Sequence, residues 1–196
     1  MGGFAGGDEG GYWDEDSILD LVKKKNHNPK GVNKEKTYIQ ISDTTYSIKA
    51  HAKVNISQTH FKRLEELYDT ISFVPCKCET FIIEGLDDIP LESNSIYKAY
   101  KALSEYTADS DIEEFFYEHK VVVTKGIPVA KTYGGASSDA AAFLRLTKEV
   151  CNLIISTDEL VKIGSSIGDD MVFFIYNYPS ANISGYGEVV EVVEEK

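Results

Sequence analysis

Cysteine is scarce in this sequence, and apolar runs of membrane length are missing. Three cysteines among 196 residues are typical of a reducing compartment, where we expect them to be inert thiols. A structural zinc site is disfavoured because Cys76 and Cys78 have no second pair to complete four ligands. No run approaches the roughly 20 apolar residues of a membrane-spanning helix, and no signal sequence opens the chain. We therefore expect a cytoplasmic protein with no membrane partner.

Positive charge is also in short supply. The chain has 20 Lys and Arg against 32 Asp and Glu, for a net charge of −12. Residues 51–196 hold 24 of the acids and 13 of the bases. An acidic surface repels phosphate backbones, so we expect no nucleic-acid partner. An anionic ligand would have to be held locally, by backbone N–H groups or by a few placed cations. Hydrophobic residues make up 42%, which excludes wholesale disorder.

The chain divides into three segments by composition. Residues 1–12 contain six glycines and predict a flexible tail over 1–16, because no strand precedes them as a phosphate loop would require. Residues 17–45 predict an extra helix and strand, with Ser17 as the helix N-cap. Residues 46–196 predict one sizeable domain.

Strict alternation of apolar and polar residues predicts a strand over 45–56. Its core-facing positions run from Tyr46 to Ile56, so His51, Lys53 and Asn55 lie in a row on the other face. A solvated sheet face and a functional row both fit this pattern. The other predicted elements are strands at 37–41, 70–74, 80–84, 119–125, 180–184 and 188–193, a helical or irregular piece at 61–68, and helices near 94–106, 111–118 and 157–167. Residues 156–159 (STDE) predict a capping box at the start of the last helix.

Two stretches carry candidate chemistry. A strand runs into a Gly/Ser-rich loop at 126–139 and then into a helix. Glycines let a backbone approach a phosphate, and the N–H groups and dipole of a helix N-terminus favour anions. An ordinary serine-capped helix fits the same residues. Asp169 and Asp170 directly precede the apolar run 171–175, where one of them could be a general base or metal ligand, or both could be solvated turn residues.

Four segments in this order resemble the GHMP small-molecule kinases, most closely the 4-diphosphocytidyl-2-C-methyl-D-erythritol kinase branch. They are AHAKVNI at 50–56, NSIYKAYKAL at 94–103, IPVAKTYGGASSDAAA at 127–142 and IGDDMVFFI at 167–175. The resemblance implies an α+β fold, with a mixed, mostly antiparallel sheet and helices on one face (ribosomal protein S5 domain 2-like). It implies ATP-dependent phosphorylation of the hydroxyl of a small nucleotide-linked polyol in isoprenoid precursor synthesis, with ATP and Mg²⁺.

The resemblance also implies individual roles. Asp170 would be the catalytic aspartate that takes the proton of the substrate hydroxyl, and Lys53 would lower the pKa of that hydroxyl. Asn55 would contact substrate. The residues implied on the ATP side are Gly134, Gly135, Ser137 and Ser138 around the phosphates and Asn94 near the adenine. Ser138 would also lie near Mg²⁺. These roles fit phosphoryl transfer, which needs positioning, charge neutralisation and a proton acceptor.

The sequence departs from the family at several of these places. Thr132 and Ala136 stand where the family has glycines, and Asp169 adds a second carboxylate beside Asp170. Residues 57–66 replace a longer passage in which the family has a Tyr-His pair that reads cytosine. The family continues into a second α+β domain, which we expect to be absent from this chain. Since the family's site lies between two domains, we expect no robust turnover by the 196 residues alone.

Three functions therefore remain open from the sequence. The chain could be a small-molecule kinase, a related domain that only binds a nucleotide or a partner, or a truncated or engineered folding scaffold. We expect a small-molecule substrate as partner. We also expect self-association where a missing domain exposes an apolar face.

Overall fold

The structure, a computed structural model, describes residues 38–108, 110–184 and 189–194. These residues fall in one unit, Thr37–Lys196. The expected tail at 1–16 and the expected helix that starts at Ser17 lie outside the described residues. The division of the chain into three segments stays a prediction.

In the part of the chain that the structure describes, seven strands form one mostly antiparallel sheet. They are β1 (Ile39–Ser42), β2 (Thr45–Asn55), β3 (His60–Pro75), β4 (Ile83–Glu84), β5 (His119–Thr124), β6 (Ser180–Ser184) and β7 (Val189–Val192). The main order is β1-β2-β3-β5-β4, while β6 pairs with β3 and β7 with β6. Of the pairings in the described ranges, only that of β4 with β5 is parallel. The predicted mixed, mostly antiparallel sheet is confirmed.

The expectation of a helical or irregular piece at 61–68 is wrong, because β3 runs without a break through this region. Its register against β2 shifts where His51 faces Tyr68 and the next residue, Ala52, faces Leu64. Residues 65–67 form the resulting bulge, which interrupts the alternation of side chains along the strand. Pairing with β2 on one side and with β5 and β6 on the other stabilises a strand that local periodicity does not show.

Within the described ranges, five α-helices accompany the sheet. They are α1 (Ser95–Thr107), α2 (Ser110–Glu118), α3 (Gly135–Val150), α4 (Thr157–Ser165) and α5 (Met171–Tyr176). The capping box expected before α4 is confirmed, since the Ser156 hydroxyl accepts from the Glu159 N–H and the Glu159 carboxylate accepts from the Ser156 N–H. In the described part of the chain, no helix has the length and apolar character needed to cross a membrane.

The core lies between the sheet and α3. Phe143 of α3 is fully buried and packs its ring edge-to-face against Phe73 of β3, 5.7 Å between centroids. Phe116 of α2 contacts both rings. This packing holds the N-terminal end of α3 in place beside β2, where the candidate site lies.

Two of the three cysteines, Cys76 and Cys78, lie close together just after β3, with their Cα atoms 5.5 Å apart. The preceding proline ends the strand and brings the two residues alongside the end of α2, where their N–H groups donate to the carbonyls of Glu118 and Tyr117.

Candidate active site

The two residues predicted to be catalytic lie side by side. Lys53 is on β2 and only 4% exposed, while Asp170 occupies the position just before α5. The Lys53 Nζ atom is 3.2 Å from the Asp170 Oδ2 atom, and the aspartate side chain keeps 31% of its surface exposed. A pair held partly out of water interacts more strongly than a surface pair. The carboxylate is therefore both oriented by the ammonium and accessible to a ligand.

The surroundings of Lys53 set the direction of its ammonium group. Its Nζ atom donates to Asn55 Oδ1 at 2.6 Å, because residues two apart on a strand share a face. The same atom lies 4.9 Å from the centre of the Phe61 ring. Asn55, predicted to contact substrate, thus orients the ammonium, and it is exposed beside it.

The phosphate segment, residues 126–138, contains a short 3₁₀ turn (Lys131–Tyr133) and the first four residues of α3, which begins at Gly135. Gly134 joins the two with a φ of +64°, a conformation that favours glycine. A Cβ atom here would lie 2.9 Å from the Phe174 ring and 3.2 Å from Lys53 Cε. Gly134 therefore lets α3 begin in direct contact with Lys53 and α5. Gly135 has ordinary clearance, with nothing closer than 3.5 Å.

The first turn of α3 provides backbone donors. The Ser138 N–H donates to the Gly134 carbonyl at 2.9 Å, so the helical ladder begins there. The N–H groups of Gly135, Ala136 and Ser137 precede it, and Gly134 has no side chain to cap them. Such groups, together with the helix dipole, attract anions.

Thr132 and Ala136, which stand where the family has glycines, introduce no backbone strain. Among described residues other than glycine, a positive φ occurs at Ala108, Asn152 and Asn177 only, so neither Thr132 nor Ala136 adopts one. Both residues are exposed. The backbone cost that their replacement of glycine would carry is absent.

The two serines of the phosphate segment face different neighbours. Ser138 is 2% exposed, and its Oγ donates to the His51 carbonyl at 2.7 Å, which attaches α3 to β2. The Oγ of Ser137 lies 3.2 Å from where a Cβ on Gly168 would be, next to the turn that bears Asp170. Hydroxyl and carboxylate oxygens are ligands suited to Mg²⁺, so this donor set fits the ion.

The side chain of Asn94 forms its hydrogen bond within the start of α1 and not with these groups. It is 4% exposed and caps α1, with its Oδ1 accepting from the Ile96 N–H at 2.9 Å. Its predicted contact with adenine stays a prediction. The structure brings together Lys53, Asn55, Asp170, Gly134 and the two serines. The Asn94 side chain instead caps the start of α1.

Sequence reasoning missed a buried charged cluster, which consists of Asp69, Lys125 and Asp139. Asp69 is fully buried and forms an ion pair with the Lys125 ammonium. The same ammonium lies 3.5 Å from Asp139 Oδ2. Carboxylates at core-facing positions, with a lysine just before a glycine-rich loop, are the sequence signal that could have revealed it.

Burial, and then the negative charge of Asp69, raise the pKa of Asp139 to about 8. The pKa of Lys125 is raised too, although burial acts against this. Burial alone would lower the pKa of Lys125, but the hydrogen bond to Asp69 and the charge of Asp139 outweigh it and raise that pKa. At neutral pH the Asp139 carboxyl group therefore keeps its proton.

Asp139→Asn changes the pH dependence of stability. The folded carboxyl keeps its proton up to about pH 8, whereas an unfolded one loses it near 3.8. Between these values the folded state binds more protons, so this group lowers the free energy of unfolding as pH rises, by up to about 1.4 kcal/mol per pH unit. Asparagine does not titrate. Urea unfolding at pH 5, 6, 7 and 8 should therefore show the variant gaining on the unsubstituted protein as pH rises. A difference that stays constant over this range would contradict the assignment.

Comparison with known proteins finds similar sequences and a similar fold. Residues 94–178 match the GHMP kinases N terminal domain. A 4-diphosphocytidyl-2-C-methyl-D-erythritol kinase of Sulfurovum sp. (strain NBC37-1) is 49% identical over 163 residues, which cover 76% of this chain and 63% of the relative. A kinase of the same name from Sulfurimonas denitrificans (strain ATCC 33889 / DSM 1251) is 42% identical over 165 residues, covering 76% and 62%. The chain therefore spans less than two thirds of the length of these relatives.

A solved structure supports the fold assignment. The crystal structure of a 4-(cytidine 5'-diphospho)-2C-methyl-D-erythritol kinase matches with a TM-score of 0.58 at 21% identity, covering 75% of this chain and 55% of that one. At this identity the likeness concerns the fold alone. The segment that matches the GHMP kinases N terminal domain runs from the cap of α1 to just beyond α5 and includes the phosphate segment and Asp170.

Proposed function

We propose that this chain carries the nucleotide-binding and catalytic part of an ATP-dependent small-molecule kinase. The acceptor would be the hydroxyl of a nucleotide-linked polyol, 4-diphosphocytidyl-2-C-methyl-D-erythritol, which is the substrate in the names of both curated relatives. The observation that carries the proposal is the Lys53–Asp170 pair, 3.2 Å apart, beside the N-terminus of α3. Among them, these groups offer a proton acceptor, a cation and an anion-binding helix end.

The residues divide the work of phosphoryl transfer. The Asp170 carboxylate accepts the proton of the acceptor hydroxyl, and the hydroxyl oxygen forms the new bond to the transferred phosphoryl group while ADP leaves. The Lys53 ammonium stabilises the negative charge that develops on the oxygens between them. The N–H groups at the start of α3 hold the phosphate oxygens in place. Asn55 keeps the ammonium directed toward Asp170.

Mg²⁺ belongs to this proposal as the partner of the nucleotide phosphates. When bound, the ion supplies positive charge that offsets the charge of those phosphates. The hydroxyl of Ser137, at the start of α3, would be one of the oxygens that hold it. Ser138, the residue named by the family resemblance, has its hydroxyl proton committed to β2 and would act mainly by anchoring α3.

The remaining expectations about this protein stay predictions from the sequence. They concern the adenine contact of Asn94, the absence of a nucleic-acid partner, self-association and a cytoplasmic location.

Calorimetric titration of the 196-residue chain with Mg-ATP tests the proposal. We expect saturable binding, and we expect Ser137→Ala to raise the Kd by about tenfold, because it removes a hydroxyl at the start of α3 where the phosphates and their Mg²⁺ would bind. Ser165→Ala is the matched control, since that exposed serine bonds only to the Val161 carbonyl within α4. ADP release would then be measured with the cytidyl substrate present.

The outcomes separate the candidate functions. Binding with substrate-dependent ADP release supports the kinase. Binding without release identifies a domain that holds a nucleotide and does not catalyse transfer by itself. No saturation at millimolar nucleotide overturns the proposal and leaves a kinase-like scaffold.

A further inference from the structure

The charged cluster of Asp69, Lys125 and Asp139 has no part in the mechanism proposed above, yet it joins three elements. The carboxylates are on β3 and α3, and the lysine directly follows β5. The side chains of Asp69, Asp139 and Lys125 are 0%, 3% and 32% exposed, respectively. Buried charges of this kind are costly unless each is paired and hydrogen-bonded. Their partners show what the cluster holds.

One end of the phosphate segment is fixed by Asp69. Its Oδ1 atom accepts hydrogen bonds from two successive backbone N–H groups, those of Gly126 at 2.6 Å and Ile127 at 2.8 Å. Its other oxygen bonds the ammonium of Lys125, the residue just before them. A Cβ on Gly126 would overlap the backbone oxygen of Tyr68. The chain therefore leaves β5 pressed against β3, in one defined direction.

The other end of the segment is fixed from the same ammonium. Lys125 Nζ lies 3.5 Å from Asp139 Oδ2, and Asp139 is in the second turn of α3. The preceding residue, Ser138, donates to the His51 carbonyl of β2. The start of α3 is thus tied to β2 and, through Lys125, to Asp69. Both ends of residues 126–138 depend on one lysine.

We propose that Asp69, Lys125 and Asp139 are positioning residues that hold both ends of the phosphate segment in its anion-binding arrangement before a nucleotide binds. This inference rests on the proposed function, in which the segment receives ATP phosphates. A segment ordered beforehand does not lose conformational freedom on binding, so more of the contact energy contributes to affinity. The cluster acts through the backbone and does not touch the nucleotide.

Hydrogen exchange of the ligand-free chain tests this arrangement without any nucleotide. We call it the clamp, because the three residues hold both ends of the phosphate segment. Lys125→Met removes the ammonium that links the two ends, and we expect the amides of residues 126–138 to exchange about tenfold faster or more. Lys120→Met is the matched control, because Lys120 is on β5, the strand that Lys125 directly follows, and forms an ion pair of 2.7 Å with Glu84, away from the segment. We expect it to leave exchange in 126–138 unchanged.

Mg-ATP titration of the same variants tests the positioning role. We expect Lys125→Met to raise the Kd by about tenfold, Lys125→Arg to restore most of the affinity because it keeps the charge, and Lys120→Met to match the unsubstituted chain. Should Lys125→Met not fold, Lys125→Met/Asp139→Asn takes its place, since it also removes the second carboxyl group from the cluster. The same increases in exchange and Kd are expected of it.

The two measurements keep the clamp and the proposed function apart. Unchanged exchange in 126–138 overturns the clamp, whatever nucleotide does. Faster exchange with unchanged Kd overturns the positioning role. If the unsubstituted chain binds no Mg-ATP, the proposed function fails, while the exchange result still decides whether the cluster holds the segment.

Discussion

If the proposed function holds, we expect Asp170→Asn to lower the rate of phosphoryl transfer to the acceptor hydroxyl by about 10²–10⁴-fold. This is the usual contribution of a positioned acid–base group. The amide keeps the size of the side chain and can still face Lys53, 3.2 Å away in the structure, but it cannot take up the proton of the acceptor hydroxyl. The measurement is steady-state ADP release at saturating Mg-ATP and acceptor.

The neighbouring aspartate provides the control for this substitution. Asp169 is exposed and has the same charge, so Asp169→Asn changes the net charge of the turn by the same amount. We expect its turnover to stay within about threefold of the unsubstituted chain, because a change of this size corresponds to the weak effect of an exposed charge. Equal losses in both variants would show that the charge of the turn matters and that no single carboxylate accepts the proton.

Gly134→Ala is expected to damage both stability and turnover. A residue other than glycine at a φ of +64° costs about 1–3 kcal/mol, and the new methyl group would crowd Phe174 and Lys53. Displacing the lysine by as little as about 1 Å can cost roughly 10² in rate. Urea unfolding measures the first effect, and ADP release under conditions where the variant is folded measures the second.

Gly135→Ala tests whether the effect belongs to position 134. Gly135 is the first residue of α3 and has only ordinary van der Waals neighbours, the nearest at 3.5 Å. Alanine is favoured over glycine in helices by about 1 kcal/mol, so this variant should be as stable as the unsubstituted chain or slightly more stable. If the two alanine variants behave alike, the close packing of Gly134 against Lys53 is not what the site requires.

Local pattern was sufficient for the elements whose side chains obey one period. The alternation along 45–56 correctly predicted β2, and the capping box at 156–159 correctly placed the start of α4. It failed for β3, where residues 65–67 interrupt the alternation and pairing on both sides supplies the stability. The candidate site divides in the same way. The spacing of Lys53 and Asp170 along the chain does not indicate that they act together. Only the family resemblance paired them.

The sequence by itself determined the acidic character of the chain, which depends on composition alone, and its resemblance to a known family implied the fold class. The tertiary structure alone decided three other features. It brought Asp69, Lys125 and Asp139 into one buried cluster, it turned Ser138 toward β2 and Ser137 toward Gly168, and it showed that Thr132 and Ala136 need no positive φ. The physical reason is the same for all three. Burial, contact and backbone conformation arise from segments that are distant along the chain and meet only when the sheet and α3 pack together.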